Sequence, residues 1–263
     1  MKIIVTIKQV PESNEVQVDP ETLTLKRDTV AGIINPFDMY AIEEALRIKE
    51  KNPDETTVCV VTMGPPQAES ALREAMAMGV DEVWLVSDKK FAGSDTWATS
   101  YTLARAAEKI GDFDLIIAGK QAFDGDTAQV PPEMSEFLSL PFCGFVKKIE
   151  QLTESLMVVE RMTEEGYNRV EIALPAVISV VKGINVPRLP SLKGKIRARK
   201  ATIQTLNADD LEADEANIGL VGSPTQVVKV FTPEYNTESE VIEGSPQEQA
   251  GLLITKLQEA NIL

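Results

Sequence analysis

"FDLIIAGKQAFDGDTAQVPPEM", residues 113–134, opens as a buried strand and closes as a helix. Between them lies "GKQAFDGDTAQV", a loop of glycine, amide, acid and hydroxyl. It has neither the Gly-Lys-Ser/Thr ending of a phosphate loop nor a G-x-G-x-x-G turn. A continuous apolar run of this kind suits a strand covered on both faces. Counting this one as Asp114–Ala118, the other candidates are Lys2–Ile7, Thr57–Thr62 and Glu82–Val86. Helical patterns separate them. Ile42, Ala45 and Leu46 form one stripe; Ala68, Ala71, Leu72, Ala75 and Met76 form another. Asn35-Pro36 is the expected start of the first helix, with Asn as cap, and Gly79 the end of the second. Ser94 is expected to open a third through "DTWATSYTLARAAEKI". The alternation predicts an α/β fold, a parallel sheet wound by helices.

Beyond Pro141 the pattern changes. "LMVVERMTEEGYNRVEIALPAVISVV" predicts a β-hairpin turning through "TEEGYN", then another strand. From Gly183 regular patterns fade: "PRLPSLKGKIRARKATI" is basic and "NADDLEADEANIG" acidic. One amphipathic helix returns between Ser245 and Leu263, through Leu252, Leu253 and Leu257. We expect an α/β domain with a small β-hairpin extension over residues 1–182. A long C-terminal arm over 183–263 should pack on another protein chain.

A chain of 263 residues, 43% hydrophobic, can bury a proper core. Its net charge of −15 argues against nucleic acid as a partner, since phosphate backbones need a basic face. No apolar run approaches the roughly 20 residues that span a bilayer, so no membrane insertion is expected. "MKIIVTIKQV" reads as a first strand rather than a signal peptide. Cys59 and Cys143 lie in apolar surroundings and read as core thiols in a reducing cytoplasm. The chain contains no histidine, which removes Ser-His-Asp and Cys-His catalysis and disfavours a zinc site.

Ligands of open α/β sheets sit beyond the carboxyl ends of the strands. Four loops should meet there: "KQVPE", "MGPPQ", "GSDTWATS" and "GKQAFDGDTAQV". Gly64, Gly119 and Gly125 would let the backbone approach a ligand. Helix starts at Ser94 and near Thr127 would offer free N–H groups to a phosphate. Thr96, Thr99 and Thr127 add hydroxyls. Asp124 and Asp126 would repel phosphate, and so bond ribose hydroxyls, cap helices or face water. Any one of these residues also suits an ordinary turn; four such loops on one sheet edge point to a nucleotide cleft. The basic cluster Lys193, Lys195, Arg197, Arg199 and Lys200 has no interleaved aromatics, and reads as a protein interface or a contact to a cofactor phosphate. The alternation in "KGKIRARKA" equally suits a strand with a charged face.

"VTIKQVP", "INPFDMYAIEEALRIKE", "VVTMGPPQAESALREAMAMGVDE", "LIIAGKQAFDGDTAQVPPEMSEFL", "LPAVISV" and "GKIRARKA" follow in that order. Together they closely resemble the β subunit of electron transfer flavoproteins over essentially the whole chain. The hairpin signature is kept only in part, with Asn168 or Arg169 where Glu or Gln is usual. The resemblance implies a sheet of the adenine-nucleotide-binding kind, paired with an α subunit that carries FAD. Ordinary members hold AMP in the cleft. In the electron-bifurcating subset, a second FAD occupies it and NADH docks beside it. "GSDTWATS" is similar to the D-T-x-A-T-S stretch of that subset.

By this resemblance Thr6, Asn35, Asp38 and Met63 line the adenine and ribose side. Gly119 through Val130 hold the phosphates, including Gln121, Asp124, Gly125, Asp126, Thr127, Ala128 and Gln129. Asp95, Thr96 and Thr99 lie near the isoalloxazine. Leu192, flanked by Lys193 and Lys195, docks a flavin-dependent dehydrogenase. The expected activity is hydride acceptance from NADH and bifurcation of electrons, one to ferredoxin or flavodoxin and one through the α-subunit FAD to the dehydrogenase. No side chain needs to be a nucleophile or general acid. A non-bifurcating subunit with AMP, and a nucleotide-sensing or hydrolysing module, are the alternatives; no phosphate loop or obvious general base supports the second.

Overall fold

The computed structural model describes residues 1–12, 32–228 and 239–263. The apolar runs become strands where expected, within a residue or so. β1 spans Lys2–Thr6, and a short antiparallel pair follows, β2 (Gln9–Pro11) with β3 (Gly32–Ile34). Then come α1 (Pro36–Lys51), β4 (Thr57–Met63), α2 (Glu69–Met78), β5 (Glu82–Val86) and α3 (Thr96–Ile110). The chain continues through β6 (Leu115–Gly119), α4 (Val130–Phe137), β7 (Phe142–Leu152), β8 (Leu156–Thr163), β9 (Gly166–Ala173) and β10 (Ala176–Val180). It ends with α5 (Leu192–Lys200), β11 (Gln204–Leu206) and α6 (Pro246–Glu259).

One nine-stranded sheet organises Met1–Val228, in the order β11-β5-β4-β1-β6-β10-β7-β8-β9. Strands β11 through β7 are parallel; β8 and β9 add the antiparallel extension. Side chains alternate across a strand, so continuous apolar runs feed two cores at once. Cys59, Ile4, Ile116 and Val177 face α3 and α4, packing with Leu103, Ala107 and Met134. One residue on, Val60, Val5, Ile117 and Ile178 face α1 and α2, packing with Ile42, Ala45, Leu72 and Ala75. Cys59 is a core thiol, which burial pushes up to about 12.

The hairpin turns at Glu164-Glu165 between β8 and β9, inside the expected "TEEGYN". Three expectations need correction. The third helix is capped by Asp95 and not Ser94: the Asp95 carboxylate accepts from the Ala98 N–H at 3.1 Å, while Ser94 Oγ donates to the Phe91 carbonyl. "KGKIRARKA" is helical in α5, with Ser191 Oγ accepting from the Gly194 N–H at 2.9 Å. Finally, residues 183–228 are no separate arm. Ala198, Leu206, Ala208, Leu211 and Ile218 enter the two cores, and β11 extends the sheet beside β5. The boundary between compact units falls at Val228/Lys229. Residues 229–238 of the expected arm lie outside the described residues. In the second unit, Ser245 and Glu248 form a capping box at the start of α6. Among the described residues no helix is long and apolar enough to cross a membrane.

Candidate functional site

From β1 the chain winds to β4 and β5 on one side, then returns to place β6 on the other side of β1. That reversal makes the carboxyl ends of β1 and β6 the switch point of the sheet, where ligands of such folds bind. Four polar side chains, those of Asn35, Lys8, Asp124 and Asp38, organise it. Asn35 Nδ2 donates to the Gln121 carbonyl at 2.9 Å, and Asn35 Oδ1 accepts from the Phe123 N–H at 2.9 Å. Lys8 Nζ reaches both oxygens of Asp124, at 2.6 and 2.8 Å. The Lys8 N–H donates to Asp38 Oδ2 at 2.7 Å. Asn35 is the positional cap of α1, yet its amide makes no capping bond and reaches a loop 86 to 88 residues away.

Asp38 is 6% exposed. Burial raises its carboxyl to about 7, against the lowering effect of the Lys8 N–H, the Asn35 side chain, the Gly119 N–H and the Lys8 charge. Gly119 is needed here for a reason other than ligand approach. A Cβ at this position would stand 2.3 Å from Asp38 Oδ1 and 2.7 Å from the Phe37 carbonyl carbon. Gly125 is the opposite case: its Cβ would meet nothing within 4 Å.

The remaining loop residues are spent in unexpected ways. Neither Asp124 nor Asp126 caps a helix; Asp124 pairs with Lys8, and Asp126 accepts from Gln121 Nε2. Asp126 and Ala128 both adopt left-handed backbone, at φ 55°, at a cost of about 1–2 kcal/mol each. Among the described residues the amides of Gly125, Thr127 and Ala128 donate to no other residue. The helix expected near Thr127 starts at Val130, and Pro131 and Pro132 give its first turn no N–H. An anion here would therefore rely on loop amides rather than the helix end. Thr6 is buried at the end of β1, and Met63 is half-buried at the end of β4.

On the other side of the cleft, Asp95 has a structural load. Its carboxylate accepts from the Thr225 N–H at 2.9 Å and the Thr225 hydroxyl at 2.8 Å, and its own N–H donates to Ser223 Oγ at 2.8 Å. Burial pushes this carboxyl up, but the bonds from Ala98, Thr225 and Ser223 outweigh it and hold it below the usual range. Thr96 Oγ1 donates to Gln129 Oε1 at 3.1 Å and Glu133 Oε1 at 3.3 Å, and Ser100 Oγ reaches Glu133 Oε2 at 2.9 Å. These bonds fasten the third loop to the fourth. Gln9 Nε2 fastens the first to the second, through the Gln67 carbonyl at 3.2 Å and Ser70 Oγ at 2.6 Å. Thr99 is half-buried, and its hydroxyl has no partner among the described residues.

Sequence reasoning missed Glu133 and Lys8. The hydroxyls of Thr96 and Ser100, four apart on one helix face, were the available signal for Glu133. Leu192, Lys193 and Lys195 are not part of this cleft: all three are exposed on α5, which packs on α2.

This is a doubly wound α/β protein with a topological switch point between β1 and β6. Residues 22–211 match the family model of the electron transfer flavoprotein domain. Over 264 residues the chain is 46% identical to the electron transfer flavoprotein subunit beta of Thermoanaerobacterium thermosaccharolyticum, with 100% of both chains covered. The caffeyl-CoA reductase-Etf complex subunit CarD of Acetobacterium woodii is 44% identical, again with 100% of both covered. The acryloyl-CoA reductase electron transfer subunit gamma of Anaerotignum propionicum is 39% identical over 271 residues, with 100% of both covered. The chain belongs to the electron transfer flavoprotein β-subunit family.

Proposed function

We propose that this chain is the β subunit of an electron-bifurcating electron transfer flavoprotein, with FAD in the switch-point cleft and an α subunit carrying a second FAD. The observation that supports it is the bonding of Thr96 and Ser100 on α3 to Gln129 and Glu133 of the next loop and helix. It joins the third and fourth loops into one wall. AMP needs the fourth loop and the ends of β1 and β4; a flavin ring needs the third loop as well. The cradle fits a nucleotide diphosphate, because amides without partners among the described residues adjoin the open space at Gly125.

When bound, FAD supplies hydride acceptance from NADH and release of electrons to ferredoxin or flavodoxin and, through the α-subunit FAD, to a dehydrogenase. The chain binds and orients it. Loop amides from Gly119 to Val130 hold the diphosphate, with Gln121 and Asn35 fixing the loop from behind. Thr6, Asp38 and Met63 border the adenosine end. Asp95 orders the first turn of α3, so that Thr96 and Thr99 border the ring. Two buried free thiols suit a reducing cytoplasm.

Leu192, with Lys193 and Lys195, forms the docking element for a flavin-dependent dehydrogenase with an acidic-rimmed apolar pocket. Leu192 is 77% exposed and Leu189 89%, as an anchor awaiting a pocket should be. The caffeyl-CoA and acryloyl-CoA reductases named with the relatives support an acyl-CoA enzyme as that partner. Denaturing the purified heterodimer and identifying the released nucleotides tests the reading. Two FAD per heterodimer are expected; one FAD with one AMP would overturn bifurcation.

A further inference from the structure

Between the end of β10 and the start of α5 the chain runs as "VKGINVPRLPS", residues 181–191, without regular structure. Pro187 and Pro190 bracket Arg188 and Leu189 and have no N–H to offer. Among the described residues, every hydrogen bond made by residues 185–190 goes to α1. Asn185 Nδ2 donates to the Tyr40 carbonyl at 3.0 Å and to Glu44 Oε2 at 2.9 Å. Arg188 does most of the rest. Its Nε and Nη2 grip the two oxygens of Glu43 at 2.7 and 3.0 Å, its own N–H adds a third bond to Glu43 at 3.0 Å, and Nη1 reaches Glu50 at 2.6 Å. Glu43 is 5% exposed and the Arg188 side chain half-buried, so a desolvated carboxylate is held by a two-pronged fork of the kind that fixes direction as well as distance.

Leu189 follows this clamp at once. Four residues after Arg188, Leu192 opens α5, and a second clamp fixes that helix on α2: a Cβ at Gly194 would stand 2.0 Å from the Ala77 carbonyl oxygen, and Arg197 binds the Met76 and Val80 carbonyls. The exposed tip Leu189–Leu192 is thus strung between attachments to two different helices.

We propose that Arg188 is the positioning residue of the dehydrogenase-docking element, holding Leu189 and Leu192 at a fixed height over α1 so that the partner meets an ordered anchor. This rests on the docking reading above. Ordering the tip in advance lowers the entropy lost on association, which appears in affinity rather than in chemistry. Removing one charge of a buried pair leaves the other stranded, so the informative variant is the apolar pair Glu43→Leu/Arg188→Met, which keeps volume without an orphan carboxylate.

The experiment uses the purified heterodimer and an acyl-CoA dehydrogenase of the acryloyl-CoA-reducing type. It follows KM for the dehydrogenase, kcat at saturating dehydrogenase, and bound nucleotide. The double variant is expected to raise KM about tenfold while kcat and nucleotide content stay at parental values, a split that a merely structural defect does not produce. Arg188→Lys keeps the charge and loses the fork, and is expected to give a smaller rise in KM. If the double variant fails to fold, Arg188→Lys decides alone. Leu189→Ala and Leu192→Ala run in parallel. A rise in KM for either leucine variant, with KM unchanged when Arg188 is replaced, overturns the role of Arg188 and leaves docking standing. Unchanged KM in both leucine variants overturns docking itself. Parallel loss of kcat or nucleotide in the Arg188 variants shows general destabilisation, and also overturns the proposal.

Discussion

Arg73 and Arg197 each close the carboxyl end of the helix that carries the other. Arg73 Nη1, on α2, donates to the Ala198 carbonyl of α5 at 2.5 Å and to Ala201 at 3.4 Å. Arg197 Nη2, on α5, donates to the Met76 carbonyl of α2 at 2.9 Å and to Val80 at 2.6 Å. The last carbonyls of a helix lack intrahelical partners, and a cation there also complements the dipole. Of the basic cluster, then, Arg197 is tied to α2 through its guanidinium, although the residue itself is exposed. Arg197→Met should cost about 2 kcal/mol of unfolding free energy, from two charge-assisted bonds lost at partly buried carbonyls. Lys195→Met, on the exposed side, should change it by no more than about 0.5 kcal/mol. Equal effects in denaturant titrations would show that the exchanged caps carry no stability.

Asp38 predicts a pH dependence. Its folded carboxyl titrates at about 7, against 3.8 as the ordinary value. Between those values the folded state binds the extra proton, so stability from this group falls as pH rises from about 4 to 7 and is flat above. Asp38→Asn removes the titration. The stability of this variant relative to the parent should climb across that window, by an amount on the order of 4 kcal/mol. Any hydrogen bond lost in the substitution adds a constant offset and no slope. A pH-independent difference between the two proteins would sink this account.

The core was legible because β1, β4, β5 and β6 are apolar on both faces, and no tertiary information was needed to see it. β7 was missed: its second half, "KKIEQL", is polar, and Phe145 breaks the alternation with a left-handed backbone at φ 61°. The alternating charges of α5 suit a strand, yet Ser191 caps it as a helix and Gly194 lets that helix lie against the Ala77 carbonyl of α2. The site shows the same division. The resemblance points to Asn35 and Asp38 at the cleft, but Asn35 bonds a loop more than 80 residues away and Asp38 accepts from the Lys8 N–H, 30 residues back. Such contacts leave no local pattern. Glu133 lay unremarked in "VPPEM" because its meaning depends on α3.

The two glycines of the fourth loop should respond oppositely to substitution. Gly119→Ala drives a methyl into Asp38 and the start of α1, and should destabilise the fold by about 1–3 kcal/mol. At Gly125 an added Cβ meets nothing within 4 Å, and Gly125→Val has no left-handed backbone to strain. It should leave unfolding within about 0.5 kcal/mol of the parent while releasing bound nucleotide, since the branch fills the space the ligand needs. Retention of nucleotide by a stable Gly125→Val protein would place the ligand elsewhere.

On the proposed reading, the wall of hydroxyls is what separates a flavin from a shorter nucleotide. Burial holds the Glu133 carboxyl above its usual range, with the Ser100 and Thr96 hydroxyls opposing and the Asp95 charge adding. Thr96→Ala therefore has two effects, loss of a ring contact and release of Glu133. Thr99→Ala has one, because its hydroxyl has no partner among the described residues. If a flavin ring lies against this turn, the double variant should weaken FAD binding about tenfold, the equivalent of one hydrogen bond of about 1.4 kcal/mol, and leave AMP binding unchanged. Fluorescence titration of nucleotide-free heterodimer with each ligand measures both. Thr99→Ala alone should account for part of the loss. An unchanged FAD affinity in the single variant, together with equal losses of FAD and AMP in the double, would assign Thr96 and Thr99 to the protein wall and not to the flavin.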